Sequence, residues 1–183
     1  MMFFKDPFFW ALISMFGLVG AGAQVGSKKL GKSQLFGIIV VVLFDLGRVM
    51  LTLPFCPQPR FEIDGWNWVV GGIIFATGCV FCIPGIPGLY IKPFTGPDEK
   101  MNLKTTGFYG IVRNPIYLGE VIWFLGWAVM FRSIIGLALV PIWWIALLFI
   151  ILIEETGLER ELGQTYLEYK TKVRGRIIPG LPI

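Results

Sequence analysis

The sequence predicts an all-α, polytopic membrane protein with about five transmembrane helices and a C-terminal amphipathic helix on the cytosolic side. Of its 183 residues 55% are hydrophobic and 15% are charged, and the mean hydropathy is +0.71, above the usual range for a soluble domain. Apolar runs at 7–25, 35–55, 68–83, 115–131 and 134–153 are long enough to cross, or nearly cross, a hydrocarbon core of about 30 Å. We expect one integral membrane domain, 1–183, with three spans in 1–90 and a loop, a helical hairpin and a tail in 91–183.

Histidine and cysteine content excludes several kinds of site. Histidine is absent, so schemes that need an imidazole base are excluded. Cys79 and Cys82 lie one turn apart in an apolar run, and we interpret them as packing residues and expect no metal.

The net charge of +4 fits an anionic membrane surface and requires no nucleic acid. Residues 1–7 lack the layout of a cleavable signal, so we expect no removed targeting segment.

The first two spans show a small-residue pattern and a charge pair. Small residues let helix backbones approach closely, within the monomer or against a second copy, and the first span carries Gly17, Ala21, Gly22 and Gly26. Asp45 and Arg48 in the second span are three residues apart and can pair on one helix face. We interpret them as a structural pair. The alternative is that one of them lines the active-site cavity.

The middle of the chain contains a polar loop, a span and a long connection. The loop at 56–67 ends beside Trp66 and Trp68, which suit a membrane interface, and the third span follows. The proline- and glycine-rich run 84–88 ends that span and begins a long loop, 89–114. Loops of this length are typically functional or disordered, and the motif at its end favours function.

Basic residues predict the orientation in the membrane. The loop at 27–34, the long loop before 115 and the segment after 153 hold twelve of the sixteen Lys and Arg residues. Only Lys5, Arg60 and Arg132 fall on the other side. The positive-inside rule then places the N-terminus outside and the C-terminus in the cytosol.

The last two runs predict a hairpin whose open ends meet at one membrane face. Only Arg132 and Ser133 separate the runs, and Glu120 is the one charged residue inside them. Arg113 precedes the hairpin and Glu154-Glu155 ends it, so Arg113 and Glu154, about forty residues apart in sequence, can be neighbours. The orientation predicted by the positive-inside rule places these residues on the cytosolic side of the membrane.

Charges at this hairpin mouth are suited to a zwitterion. Asn114-Pro115 is typical of a helix start, which favours an anion, and Arg113 adds a planar fork for a carboxylate. Glu154 and Glu155 would hold an ammonium or hydroxyls, so an amino-acid moiety would satisfy both halves. The alternative is that these charges mark the membrane boundary and join helices.

The tail carries an apolar stripe at helical spacing. Spacings of four, four, three and four predict one amphipathic helix against the cytosolic face or over the hairpin, with the stripe Leu158, Leu162, Tyr166, Tyr169 and Val173. Pro179 and Pro182 end it.

Two linked motifs resemble the isoprenylcysteine carboxyl methyltransferase and phospholipid N-methyltransferase superfamily of integral membrane methyltransferases. The first is G-x-Y-x-x-V-R-N-P-x-Y-x-G at 107–119. The second is E-E-x-x-L-x-x-x-L-G-x-x-Y-x-x-Y at 154–169, followed by Val173 and Pro179. The first three spans fit the superfamily only by their number.

The resemblance implies S-adenosylmethionine as cofactor, bound from the cytosolic side between the last spans and the tail. It also implies a lipophilic or lipid-linked acceptor that enters from the membrane lipids: a prenylcysteine-like carboxylate, a lipid amine, a thiol or an isoprenoid. The resemblance assigns one wall of the cofactor cleft to Tyr109, Gly110, Arg113, Asn114, Pro115, Tyr117 and Gly119, and its acidic part to Glu154 and Glu155. Of these, it implies catalytic roles for Arg113, Asn114, Tyr117 and Glu154.

Asn114 departs from the superfamily, which usually has histidine at this position. Asparagine hydrogen-bonds but cannot titrate. Methyl transfer tolerates this, because the donor is already activated and the protein mainly aligns the reactants and excludes water. Two alternatives stay open: a sterol-type reductase that uses NADPH, and a catalytically silent scaffold. Reductase tails usually read Arg-Asp where this chain has Glu154-Glu155.

Overall fold

The computed structural model describes residues 3–27, 33–83 and 103–182. These residues form six α-helices: α1 Pro7–Gly26, α2 Gln34–Thr52, α3 Asn67–Cys82, α4 Pro115–Met130, α5 Ile134–Leu162 and α6 Gln164–Lys172. Short 3-10 turns occupy Phe3–Lys5 and Gly107–Gly110. The predicted all-α class is confirmed over this part of the chain. The lysines at 28–32, the break at 84–88 and the loop as far as 102 lie outside the described residues.

Helix length and composition identify a membrane protein. Among the described residues α1, residues 35–52 of α2, and α5 are long and apolar enough to cross a membrane, whereas α3 and α4 are apolar but have 16 residues each. Large apolar side chains remain exposed along these helices, among them Phe16, Ile73 and Phe149. Such surfaces are suited to contact with lipid.

The fifth helix is longer than the sequence predicts. The predicted span stops at 153, but α5 continues to Leu162 and ends where Gly163 takes φ 52°. Glycine tolerates this backbone conformation, so the chain turns there and α6 begins. The prediction of a single amphipathic tail helix is therefore wrong in its bounds. The stripe is shared between two helices and still packs as one cluster: Leu158, Leu162, Tyr166, Tyr169 and Val173.

α4 packs mainly on α3, in addition to forming a hairpin with α5 as predicted. α4 and α5 are joined by a short turn, but α4 packs far more extensively on α3. Glycines make this close approach possible: a Cβ on Gly78 would lie 2.1 Å from the Trp123 nitrogen, and one on Gly126 would lie 2.2 Å from the Phe75 nitrogen. Gly71 and Gly119 complete this glycine seam, two glycines on each helix.

α1 and α2 pack in the same way. A Cβ on Gly17 would lie 2.3 Å from the Phe44 nitrogen, and one on Gly47 would lie 2.5 Å from the Ser14 nitrogen. Gly17 therefore acts within the monomer, which is one of the two expectations for the small residues of the first span.

Arg60 organises the end of the bundle that carries the α4–α5 turn. Its Nη1 donates to Thr52 O at 3.1 Å and to Phe131 O, and its Nη2 donates to Leu53 O at 2.9 Å. Arginine at a helix C-terminus satisfies carbonyls that have no partner within the helix. The ends of α2 and α4 are thus joined here, and the start of α4 lies at the opposite end of the bundle.

Candidate active site

Arg113 and Glu155 form a buried ion pair where α4 begins. Their relative exposures are 6% and 2%. Arg113 Nε donates to Glu155 Oε1 at 2.9 Å, and Nη2 donates to Oε2 at 3.3 Å. A guanidinium matches a carboxylate in this two-pronged geometry. The sequence predicted Arg113 and Glu154 as neighbours, and the structure instead pairs Arg113 with the adjacent acid, Glu155.

The tail is fastened to the same pair. Arg113 Nη1 donates to the carbonyls of Val173 at 2.9 Å and Arg174 at 2.7 Å. The backbone N–H groups of Arg113 and Asn114 donate to Gly175 O at 2.8 Å and Arg176 O at 3.0 Å. Arg176 Nε completes the arrangement by donating to Glu155 Oε2 at 3.0 Å.

Asn114 occupies the helix-start position that the sequence predicted, but its side chain does not cap α4. Its amide Nδ2 instead donates to Glu155 Oε1 at 3.0 Å and to Arg176 O at 3.2 Å. Asparagine can make these bonds without titrating. The residue in the usual histidine position therefore helps to hold the carboxylate of Glu155.

A count of donors and acceptors shows that this cluster is nearly saturated. Glu155 accepts four N–H bonds, from Arg113 twice and from Asn114 and Arg176 once each. A carboxylate offers about four acceptor sites, and an arginine offers five N–H donors. Arg113 uses at least four of its donors on Glu155 and the tail carbonyls. Because their bonding capacity is directed at each other and the tail, Arg113 and Glu155 join helices.

Glu154 and Tyr117 form a second, less saturated pair beside this cluster. Tyr117 Oη donates to Glu154 Oε2 at 2.8 Å. In the part of the chain that the structure describes, Glu154 accepts no other hydrogen bond. The adjacent acids therefore differ: Glu155 is committed to three partners, whereas Glu154 can accept more bonds.

Tyr109 lies near this pair in the turn before α4. Burial, followed by the negative charge of Glu154, raises the pKa of Tyr109 to about 12. Its phenol is therefore protonated at neutral pH. Its backbone carbonyl accepts a hydrogen bond of 2.7 Å from Tyr169 Oη on α6. Burial also raises the pKa of Tyr166 and Tyr169, so the tail cluster presents neutral phenols.

The remaining predicted site residues have different surroundings. Gly110 is exposed, and Pro115 is buried at the first position of α4. Gly119 is buried against α3, where a Cβ would lie 2.5 Å from Cys82 Sγ. Arg176, which lies outside both sequence motifs, reaches the cluster. Its only sequence signal is a position in the basic tail shortly before Pro179.

The predicted pair of Asp45 and Arg48 is confirmed, and it has a third member. Arg48 Nη2 donates to Asp45 Oδ1 and to Glu120 Oε2, the latter at 2.5 Å. The Arg48 side chain is 1% exposed, and its guanidinium lies 3.7 Å from the ring centroid of Phe44. Glu120 thus joins α4 to α2.

The apolar helices identify an integral membrane protein. The polar groups around Arg113, Glu154 and Glu155 form a candidate site where α4, α5 and the tail meet. The family model described as phospholipid methyltransferase matches residues 65–165, more than half of the chain. The chain belongs to this family. The matched region covers α3, α4 and α5 and ends just after α6 begins. The predicted resemblance to the methyltransferase superfamily is confirmed, with the isoprenylcysteine enzymes as a neighbouring family.

Two curated relatives are similar to this chain. Phosphatidylethanolamine N-methyltransferase A of Dictyostelium discoideum is 29% identical over 101 residues, which are 53% of this chain and 46% of that protein. Phosphatidylethanolamine N-methyltransferase of Rattus norvegicus is 25% identical over 163 residues, 80% of this chain and 76% of that protein. The match thus spans less than half of the first relative and about three quarters of the second. No solved structure matches the chain significantly.

Proposed function

We propose that this protein transfers a methyl group from S-adenosylmethionine to the amine of a phospholipid at the cytosolic membrane face. The observation that carries the proposal is the match to the phospholipid methyltransferase family over α3, α4 and α5. Both relatives are named as N-methyltransferases of a lipid amine. This favours a lipid amine over a prenylcysteine carboxylate, a thiol or an isoprenoid, and methyl transfer over reduction by NADPH.

Glu154 fits the positively charged part of the cofactor. Its carboxylate has acceptor capacity beyond the bond from Tyr117 Oη, and an ammonium offers three donors. Glu155 is committed to Arg113, Asn114 and Arg176. The proposed ammonium ligand is therefore Glu154.

Arg176 fits the carboxylate of the cofactor. Its Nε is bonded to Glu155, but within residues 3–27, 33–83 and 103–182 neither terminal nitrogen donates a hydrogen bond. Its side chain is 18% exposed, against 4% for Arg113. A guanidinium with unused donors is suited to hold a carboxylate. The helix start at Asn114-Pro115 adds a favourable dipole.

The other predicted site residues have supporting roles in this proposal. Arg113, Asn114 and Glu155 fix the tail against the start of α4, and Tyr109, Gly110 and Pro115 form the wall around Tyr117 and Glu154. Tyr117 orients the carboxylate of Glu154. When bound, S-adenosylmethionine supplies an electrophilic methyl group on a sulfonium sulfur, so the residues need only position the reactants and exclude water.

The proposed topology has five spans, although α3 and α4 have only 16 residues each. An α-helix of that length is about 24 Å long, slightly short of a hydrocarbon core. With five spans, the start of α4 and the tail lie on the side that carries most of the basic residues, the cytosolic side. We retain one domain, 1–183, with the cofactor site in 91–183.

Thermal unfolding with S-adenosylhomocysteine tests the cofactor assignment. A ligand at one hundred times its dissociation constant stabilises the native state by about 2.7 kcal/mol. We expect stabilisation of the purified parent in detergent, and methylated phospholipid when S-adenosylmethionine and phosphatidylethanolamine are supplied. If neither S-adenosylhomocysteine nor S-adenosylmethionine stabilises the folded, monodisperse parent, the proposal is refuted and the catalytically silent scaffold replaces it.

A further inference from the structure

A cavity of about 370 Å³ lies between α2, α3 and α4. Most of its lining is apolar or aromatic: Val49, Phe75, Cys79, Cys82, Trp123 and Trp127. Among the described residues of that lining, Glu120 is the one that carries a charge. The volume lies within the range of small-molecule sites, and Cys79 is exposed, so the cavity is open toward the outside of the bundle.

Among the residues that the structure describes, the charges beside the cavity do not balance. Arg48 donates to both Asp45 and Glu120, so two carboxylates share one guanidinium. The side chains of Asp45 and Glu120 are 35% and 22% exposed, whereas that of Arg48 is 1% exposed. Burial between aromatic rings keeps the guanidinium in place, with Trp123 4.6 Å away. With both acids ionised, the cluster carries a net charge of −1 and is completed by one positive charge.

Glu120 has bonding capacity for that positive charge. Its Oε2 accepts from Arg48 Nη2 at 2.5 Å and from Trp123 Nε1 at 3.0 Å. Over the described parts of the chain, Oε1 accepts no hydrogen bond. A proton alone could neutralise the cluster, but a proton does not require a cavity with aromatic walls. Carboxylates and aromatic rings together are the groups that bind organic ammonium ions.

We propose that this cavity binds the ammonium group of the lipid amine acceptor, with Glu120 as its direct partner. The inference rests on the proposed function and adds the residues that select the acceptor. Glu120 follows Tyr117 by three residues on α4, a rise of about 4.5 Å. The acceptor site and the proposed cofactor site are therefore one helical turn apart. Apolar lining and an opening toward lipid suit the chain that follows the amine.

Binding of decylamine, which is protonated at pH 7, tests the inference without the cofactor. Decanol of the same chain length is the uncharged comparison. We expect the parent chain in maltoside detergent to bind decylamine at least about tenfold more tightly than decanol, the contribution of one charge-assisted hydrogen bond. Glu120→Gln keeps the side-chain shape and should abolish this preference.

Glu62→Gln is the matched control, because the Glu62 side chain is 90% exposed on the loop after α2. It should bind both probes as the parent does. Equal binding of decylamine and decanol by the parent would overturn the inference and indicate that a proton alone completes the cluster. So would a preference that persists in folded Glu120→Gln.

If Glu120→Gln does not fold, Asp45→Asn removes one negative charge from the cluster but keeps the Glu120 carboxylate, so it should reduce the preference without abolishing it. A preference as large as the parent's in folded Asp45→Asn would overturn the inference. The two proposals fail separately. A decylamine preference without S-adenosylhomocysteine binding would support the ammonium site and refute the proposed methyltransferase reaction. S-adenosylhomocysteine binding without the preference would support the proposed reaction and refute this acceptor site.

Discussion

Glutamine substitutions at the adjacent acids Glu154 and Glu155 should have opposite consequences. Glu155 is 2% exposed and accepts four N–H bonds from three side chains, so Glu155→Gln leaves Arg113 and Arg176 without their counter-charge. Removal of one partner from a buried ion pair costs about 3–5 kcal/mol. For a chain of this length each kcal/mol shifts the melting temperature by about 2–4 °C. We therefore expect a decrease of roughly 6–20 °C.

Glu154→Gln should leave the melting temperature nearly unchanged, because the glutamine oxygen can still accept the bond from Tyr117 Oη. Glu154→Gln should instead weaken binding of the cofactor. Loss of one charge-assisted contact to an ammonium is a loss of about 1.5–3 kcal/mol, so affinity for S-adenosylhomocysteine should fall about tenfold or more. Thermal unfolding in detergent and calorimetry on the same preparations measure the two effects.

Glu159→Gln is the control for the stability measurement. Glu159 pairs with Lys170 across the α5–α6 turn, with both side chains about one third exposed. Exposed pairs contribute about 0–1 kcal/mol. If Glu155→Gln melts no lower than Glu159→Gln, the buried pair does not fasten the tail. If Glu154→Gln binds the cofactor product as the parent does, Glu154 is not the ammonium ligand.

Three further outcomes follow from the helix packing and the charge distribution. Gly78→Ala should destabilise by about 1–3 kcal/mol or more in thermal unfolding, because its Cβ would overlap Trp123, whereas a Cβ on Gly72 would meet none of the described residues within 4 Å, so Gly72→Ala should be neutral. Arg48→Leu should cost about 3–5 kcal/mol by leaving two carboxylates together, and equal melting with the parent would contradict the cluster. An enzymatic reporter fused after residue 183 should be active only in the cytosol, and activity outside would remove the five-span topology.

Hydrophobic runs predicted the helices well, because the length and polarity of a span are set by the membrane. The predicted start of α4 at Pro115 is correct, since Asn-Pro restricts the backbone locally. The end of α5 was missed because six of its last nine residues are polar or charged and a helix can leave the membrane without a break. Only Gly163, with its positive φ, ends it.

Partner choice could not be predicted, because it depends on how helices rotate against each other. The sequence placed Arg113 near Glu154 and Glu155, and one helical residue, a rotation of about 100°, decides which acid it binds. No sequence spacing predicts the contact of Glu120 with Arg48 or that of Arg176 with Glu155. Both contacts join segments that are far apart in the chain.

The glycine seam explains how α4 can carry both proposed sites. Tyr117 and Glu120 lie on either side of Gly119, where a Cβ would lie 2.8 Å from Gly78 O and 2.9 Å from the Cys82 nitrogen. This close contact lets α4 pack directly on the backbone of α3, and side chains are best positioned on a well-packed helix. Gly119, expected in the cleft wall, therefore supports the site by packing. Its effect is to hold Tyr117 toward Glu154 and Glu120 toward Arg48 at the same time.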